Sequence, residues 1–249
     1  MITYRSPKEI EKIRASAQLV AAAVEHLAPM IRPGITTADL DRAAEAFIRR
    51  HGGIPAFKGY RGFPATLCTS INAEVVHGIP SKQRRLQAGD IIGVDCGAIV
   101  DGYYGDHAIT FAVGEILVEV QHLLKTTEEA LSAGVIQAKV GNRLSDISHA
   151  IQVYAEKHGY GVVKSFVGHG IGTALHEEPQ VPNFGPPGRG PRLREGMVLA
   201  LEPMLNMGTY DVHILDDNWT VVTADGKLSA HFEHTVAVAE DGGIILSRL

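Results

Sequence analysis

The sequence predicts a mixed α/β (α+β) protein in which helix pairs cover antiparallel strands, and three observations predict it. Helical periodicity opens the chain and returns in its middle, each time as two segments. β-Branched and aromatic runs follow each pair, and the first of these is folded back on itself by Asp101-Gly102, a two-residue type I′ turn signal. The order helices, strands, helices, strands implies two similar halves, although no residue-level repeat is evident.

Each element has a local reason. Ser6-Pro7-Lys8-Glu9 supplies an N-cap, a proline at the first helical position and a capping-box acid; Ile10, Ile13, Ala17 and Val20 then recur at helical spacing, predicting a helix to about Pro29. A second helix begins near Thr37, carries Leu40, Ala44 and Phe47 on one stripe, and ends at His51-Gly52-Gly53. The loop PAFKGYRGFPA leads into strands, and IIGVDCGAIV with YYGDHAITFAV forms the hairpin. Helices over about Val118–Ala138 and Leu144–Lys157 follow, the latter closed by His158-Gly159; the runs VVKSFVGH, MVLALEPML, WTVVTAD and HTVAVA then read as strands. VPNFGPPGRGPRLREG, between two of those runs, reads as a surface loop because no compositional shift follows it, so residues 1–249 are expected to form a single domain.

Composition narrows the function. The 249 residues carry a net charge of −5 and no basic run of five, which argues against a nucleic-acid site or an anionic membrane surface. The start, MITYRSPKEIEKIR, places charges where a signal peptide needs an apolar core, and no stretch reaches the ~18 apolar residues of a membrane span; a cytoplasmic protein is expected. Two cysteines, Cys68 and Cys96, give no disulfide framework. Twelve histidines are the unusual count, several in glycine-flanked motifs such as VHGIP and GHGIG.

The hairpin also raises an electrostatic problem. With a two-residue turn, opposed positions sum to 203, so Asp95 faces Ala108 and Asp106 faces Gly97. Side chains alternate, so the two aspartates share one face as diagonal neighbours, roughly 7–8 Å apart at Cα. Like charges on an apolar face need a positive partner or protonation. Glu202 alone interrupts the apolar run MVLALEPML, and Glu233 lies among the strand residues of HFEHTVAV. Val167-Gly168-His169-Gly170 places a histidine at a strand end where missing side chains admit a ligand. Taken singly, a strand acid is ordinarily exposed or satisfied and a glycine-flanked histidine structural. Together, two Asp, two Glu and one His form an oxygen-rich, thiolate-free set that suits Mn²⁺, Fe²⁺, Co²⁺ or Zn²⁺. Four carboxylates balance two divalent ions, and paired metals about 3.5–4 Å apart are a hydrolytic device.

That set, with Val75–Pro80 (VVHGIP) before it and Ala174–Pro179 (ALHEEP) within it, resembles the methionine aminopeptidase family, and more narrowly is similar to its short bacterial type I form, from about Ser6 to Ala239. The resemblance implies the pita-bread fold, two pseudo-symmetric halves around a central cleft, and removal of the initiator methionine from nascent polypeptides whose second residue is small. It implies that two divalent ions (Co, Mn, Fe or Zn) are held by Asp95, Asp106, His169, Glu202 and Glu233, with Asp106 and Glu233 bridging, and that a bridging water or hydroxide attacks the carbonyl. Glu202 would relay a proton to the leaving amine, His176 would stabilise the tetrahedral intermediate, and His77 would contact the substrate backbone beyond the cleaved bond. Tyr60, Phe63, Cys68 and Trp219 match positions that wall the pocket for the N-terminal side chain; from the residues alone these four read as core. A monomer acting on nascent chains at the ribosome is the implied setting.

Some positions depart from the family's usual pattern. Phe57 and Leu175 stand where cysteine and phenylalanine are common, and Val76 where cysteine is frequent. His107 replaces a small residue but falls on the face opposite Asp106, which favours a structural role. His231 stands where glutamine is usual, on the face of Glu233, and is expected to tune the metals as an outer donor. Two rival readings are an Xaa-Pro peptidase of the same fold, which ordinarily carries a further N-terminal domain, and a pita-bread binding protein without catalysis, whose relatives lose ligands that this chain keeps.

Overall fold

The computed structural model describes residues 1–249. The chain opens with α1 (Pro7–Leu27) and α2 (Thr37–Arg50), each started by a capping box: Ser6 with Glu9, and Thr36 with Asp39. α1 ends at Leu27, short of the expected Pro29, because that proline has no N–H to donate to the preceding turn; a single 3₁₀ turn, Ala28–Met30, carries the chain on. Strands β1 (Leu67–Ile71), β2 (Ile91–Val100) and β3 (Tyr103–Ala112) follow. β2 and β3 pair from Ile91↔Ala112 to Val100↔Tyr103, every opposed pair summing to 203, and Asp101 (φ 50°) and Gly102 (φ 79°) are both left-handed, as a type I′ turn requires.

Helices α3 (Val118–Gln137) and α4 (Leu144–Lys157) begin the second half, followed by β4 (Gly168–Gly170), β5 (Glu177–Val181), β6 (Val198–Leu201) and β7 (Glu233–Ala237). The main sheet runs β1-β2-β3-β7-β6-β4-β5, with the short strands Ile54–Pro55 on β2 and Ile244–Ile245 on β7, and every pairing is antiparallel. The halves join where β3 pairs with β7.

All four helices cover the same face of this sheet. Ile92, Val94, Cys96 and Ala98 of β2 pack with Val20, Val24, Leu40 and Ile48 of α1 and α2. Leu199, Leu201 and Val236 pack with Leu123, Leu131, Ile147 and Ile151 of α3 and α4. Alternation therefore turns Asp95, Gly97 and their cross-strand partners to the opposite face, which the helices leave open. On the helix side, Gly105 is the point of closest approach: a Cβ there would stand 2.3 Å from the Ala17 amide nitrogen.

Two of the expected strands are broken. MVLALEPML ends at Leu201 because Pro203 cannot donate to the ladder; Met204–Asn206 instead joins Gly161–Val162 and Ser229–His231 in a separate three-stranded sheet. VVKSFVGH splits likewise, Gly161–Val162 going to that sheet and only Gly168–Gly170 reaching the main one. WTVVTAD provides Val221–Thr223, which pairs with Glu74–Val76 and Val212–Ile214. No helix is long and apolar enough to cross a membrane.

Gly105→Val should be destabilising by roughly 2–4 kcal/mol, since the new side chain meets helix backbone that cannot rotate away. Gly102→Ala, at an open turn, should cost about 1 kcal/mol. Urea midpoints of the chelator-treated proteins check the difference.

Candidate metal centre and substrate cleft

Cross-strand register assembles the acids. Cys68, Asp95, Ala108 and Glu233 stand in one row across β1, β2, β3 and β7. Partners in an antiparallel ladder point to the same side, so Asp95 and Glu233 flank the small Ala108, and Asp106, two residues earlier on β3, joins them. A second row sets His169 of β4 beside Ala200 of β6 and Thr235 of β7. The Thr235 hydroxyl accepts from the Asp106 N–H at 3.1 Å and donates to the Asp106 carbonyl at 2.8 Å, clasping β3 to β7 beside the acids. Glu202 enters from just beyond β6, its carbonyl held by Asn183 Nδ2 at 3.0 Å.

One ligating atom each from Asp106, His169 and Glu233 falls within 4.8 Å of the others, and His169 Nε2 lies 3.5 Å from Glu202 Oε1. His169 Nδ1–H donates to the Gly170 carbonyl at 2.9 Å, which leaves the Nε2 lone pair directed at the acids. Burial, with His176 beside it, holds the His169 pKa down to about 3, so this ring is neutral. No lysine or arginine pairs with any of the four acids. Asp95 Oδ1 and Glu233 Oε1 are buried without a hydrogen-bond partner. Burial raises the pKa of Asp95, and burial reinforced by the neighbouring carboxylates raises Asp106, Glu202 and Glu233 well above the usual range. Two carboxylates about 5 Å apart repel by roughly 3–4 kcal/mol at an effective dielectric near 20. Unpartnered buried oxygens and an aimed imidazole lone pair fit divalent ions and fit no other feature of the chain.

A cavity of about 170 Å³ opens above the acids, walled by Phe57, Tyr60, Phe63, Cys68, Leu175 and Trp219. Phe63 meets Trp219 edge-on at 5.1 Å. Tyr60 stacks on His176 at 5.3 Å, and its hydroxyl shares a 2.8 Å hydrogen bond with His176 Nδ1. The His176 ring lies 4.2 Å from that of His169. His77 holds a left-handed backbone (φ 61°) and meets Phe166 and Trp219 edge-on at 5.5 and 6.4 Å. Gly78 after it is obligatory, because a Cβ would fall 2.1 Å from the Thr69 carbonyl oxygen. Burial, then His176, lowers the His77 pKa to about 4; burial, then Arg61, lowers that of His176.

The eleven site residues expected from the sequence, Tyr60, Phe63, Cys68, His77, Asp95, Asp106, His169, His176, Glu202, Trp219 and Glu233, all line this one cavity. His107 does not: it is buried on the helix side, bonds the Glu233 carbonyl through Nδ1, and stacks on His234 at 4.8 Å with 7° between ring planes. His231 is also absent from the lining and sits buried in the separate sheet with Nε2 unpartnered, because the chain changes sheets between it and Glu233. Sequence reasoning missed Arg61, which lines the cavity, and the Thr235 clasp. Neither carries a sequence signal: one is an arginine in a glycine-rich loop, the other a strand threonine.

Fold and site together define a metal-dependent hydrolase of pita-bread architecture, and the model of metallopeptidase family M24 matches residues 11–240: the chain belongs to that family. Within it the chain groups with the methionine aminopeptidases. It is 57% identical to the methionine aminopeptidase of Clostridium acetobutylicum over 99% of both chains, and 53% identical to methionine aminopeptidase 1 of Bacillus subtilis over 100% of both. The crystal structure of methionine aminopeptidase from Rickettsia prowazekii superposes with a TM-score of 0.98 at 41% identity, covering 100% of each chain. A prolidase from Pyrococcus horikoshii shares the fold, with a TM-score of 0.80 at 23% identity, but this chain covers only 63% of it.

Three outcomes are expected, beginning with the metal-free protein. Each raised carboxyl binds its proton more tightly folded than unfolded, so stability in chelator should fall as pH rises from the ordinary carboxylate range, about 4, toward neutrality. Mn²⁺ or Co²⁺ at about 100 times its dissociation constant should restore about 2.7 kcal/mol for each ion bound at neutral pH. Asp106→Asn should stabilise the chelated protein while abolishing that gain; thermal melts with and without metal read both.

Proposed function

We propose that the chain removes the N-terminal methionine of new polypeptides with a small second residue, using two divalent ions held by Asp95, Asp106, His169, Glu202 and Glu233. The observation that carries this reading is a set of four carboxylates, Asp106 and Glu233 buried and Asp95 and Glu202 half-buried, none paired with a lysine or arginine, beneath a cavity walled by aromatic and sulfur side chains. Their charge of −4 matches two divalent ions, with Co, Mn, Fe and Zn all suited to the donors. When bound, such ions supply Lewis acidity and a coordinated water of near-neutral pKa.

The chain's own residues do the rest. Phe57, Tyr60, Phe63, Cys68, Leu175 and Trp219 seat an unbranched thioether side chain, with sulfur–aromatic contacts available on several sides. His176 acts as a donor: when Tyr60 O–H donates to Nδ1, the ring's proton stays on Nε2, where it can meet the oxygen on which negative charge develops. His77, also neutral, donates to the substrate backbone past the scissile bond, and the two imidazoles bound the space left for the second side chain. Glu202 relays a proton to the departing amine. The same reading puts the work at nascent chains on the ribosome, in the cytoplasm, by a monomer folded as one domain over residues 1–249.

Paired peptides test it. Chelator-stripped protein resupplied with Co²⁺, Mn²⁺ or Fe²⁺ should release Met from Met-Ala-Ser and leave Ala-Pro-Ser intact; the reverse pattern would assign the chain to the Xaa-Pro peptidases, and binding of metal with no cleavage of either peptide would leave only a binding role. His176→Gln should lower kcat by about 10²–10³-fold, the range for loss of one oxyanion donor, with little change in KM.

A further inference from the structure

We infer that Arg61 selects, among the polypeptides the cleft accepts, those with an acidic third residue. The inference rests on the reading above and concerns the mouth of the same cavity. Arg61 is the one lysine or arginine among the lining residues. It sits in the 3₁₀ turn Tyr60–Gly62 with left-handed φ 49°, ψ 24°, between Gly59 (φ 89°) and Gly62 (φ 91°). The turn is closed by Tyr60 N–H on the Phe57 carbonyl, Phe63 N–H on the Tyr60 carbonyl and Gly59 N–H on the Phe63 carbonyl, at 2.8–2.9 Å. The position of the side chain is therefore set by the same loop that builds the cavity wall.

The guanidinium lies 5.4 Å from the Tyr60 ring centroid and is exposed at the mouth, and no carboxylate pairs with it. By contrast Arg5, Arg14, Arg42, Arg49 and Arg84 each have an acidic partner. Near Trp219, Asp217 is already engaged, accepting from Trp219 N–H, Thr220 N–H and the Thr220 hydroxyl. With two divalent ions balancing the four acids and the lining histidines neutral, Arg61 is the single uncompensated charge facing the substrate. With the methionine side chain in the cavity and the scissile carbonyl over the acids, the second residue passes His77 and His176. An extended chain advances about 3.3–3.6 Å per residue, so the third residue stands about 7 Å beyond the first, within reach of a long side chain at the mouth such as Arg61. A carboxylate there gains a bidentate partner, whereas an ammonium meets repulsion.

The experiment compares Met-Ala-Glu-Ser-amide, Met-Ala-Gln-Ser-amide and Met-Ala-Lys-Ser-amide, amidated so that no terminal carboxylate reaches the rim. The metal-loaded protein should cleave the Glu peptide about threefold to tenfold more efficiently than the Lys peptide, as expected for a solvent-exposed pair, with the difference in KM rather than kcat because Arg61 touches no reacting atom. The ratio should shrink as salt shortens the Debye length from about 10 Å at 0.1 M to 3 Å at 1 M. Arg61→Gln should bring it to unity, Arg61→Glu should invert it, and Arg61→Lys should keep part of it. If Arg61→Gln leaves the wild-type ratio unchanged, or the wild type shows no preference, Arg61 only covers Tyr60 and the inference fails while methionine removal stands. If the wild type releases Met from none of the three, the parent reading fails and this one with it.

Discussion

The rest of the structure is organised around four carboxylates gathered over one sheet face, three from its strands and Glu202 from just beyond β6, with no lysine or arginine paired to them. Their repulsion opposes folding, so the framework that holds them must be fixed by other forces. It is fixed from behind and between. The apolar residues of β2, β6 and β7 are buried under two helix pairs, and the Thr235 hydroxyl ties β3 to β7 at the backbone of Asp106 itself. The seam between the two halves is thus also where the acids are densest. Divalent ions held by these residues would serve as counterions of the fold as well as instruments of the reaction, because carboxylates gathered without a cation leave their charge unmatched.

Strand alternation sorts neighbouring residues into opposite roles. Asp106 and Glu233 face the cleft; His107 and His234, the next residue in each case, face the helices and stack on each other. His107 also bonds the Glu233 carbonyl, so an imidazole on one face steadies a ligand strand on the other. For the cleft histidines, the partner of Nδ1 decides the chemistry. A carbonyl, as at His169, forces the proton onto Nδ1 and leaves a lone pair on Nε2; the Tyr60 hydroxyl at His176 allows the opposite tautomer, with the proton on Nε2.

The hairpin was legible in the sequence because a two-residue turn fixes register, and register with period 2 fixes which side chains share a face. That Asp95 and Asp106 share one face followed from this alone; their joint role needed Glu202, Glu233 and His169 beside them. The start of α1 was legible from its capping box, the other starts from periodicity, and the end expected at Pro29 falls earlier because of a missing amide. The break at Glu202-Pro203 was less legible: the run around it is apolar enough to be one strand, and only its pairing into two sheets reveals why Glu202 can turn into the cleft. The cavity walls were not legible from periodicity at all. Phe57, Tyr60 and Phe63, Leu175, and Trp219 come from three separate loops, and only a family resemblance placed most of them together.

The N-terminal segment shows how far from the acids the geometry of the site is set. Arg5, its side chain only 6% exposed, pairs with Glu177 at 2.6 Å, and Glu177 Oε1 accepts the amides of Thr173 and Ala174. Gly172 packs against the Arg5 guanidinium, where a Cβ would lie 2.3 Å from it, and the Arg5 amide bonds the Gly196 carbonyl at 2.7 Å. The loop bearing Leu175 and His176 is therefore clamped between the start of the chain and β5. Burying such a pair returns little net stability, since desolvation offsets most of the attraction. What it supplies is position: the half-buried Glu177 carboxylate, held by Arg5, in turn holds the amides of Thr173 and Ala174 in the loop that carries Leu175 and His176. The identity of residue 5 thus bears on the placement of residue 176, a dependence carried by packing and charge across the Glu177 carboxylate.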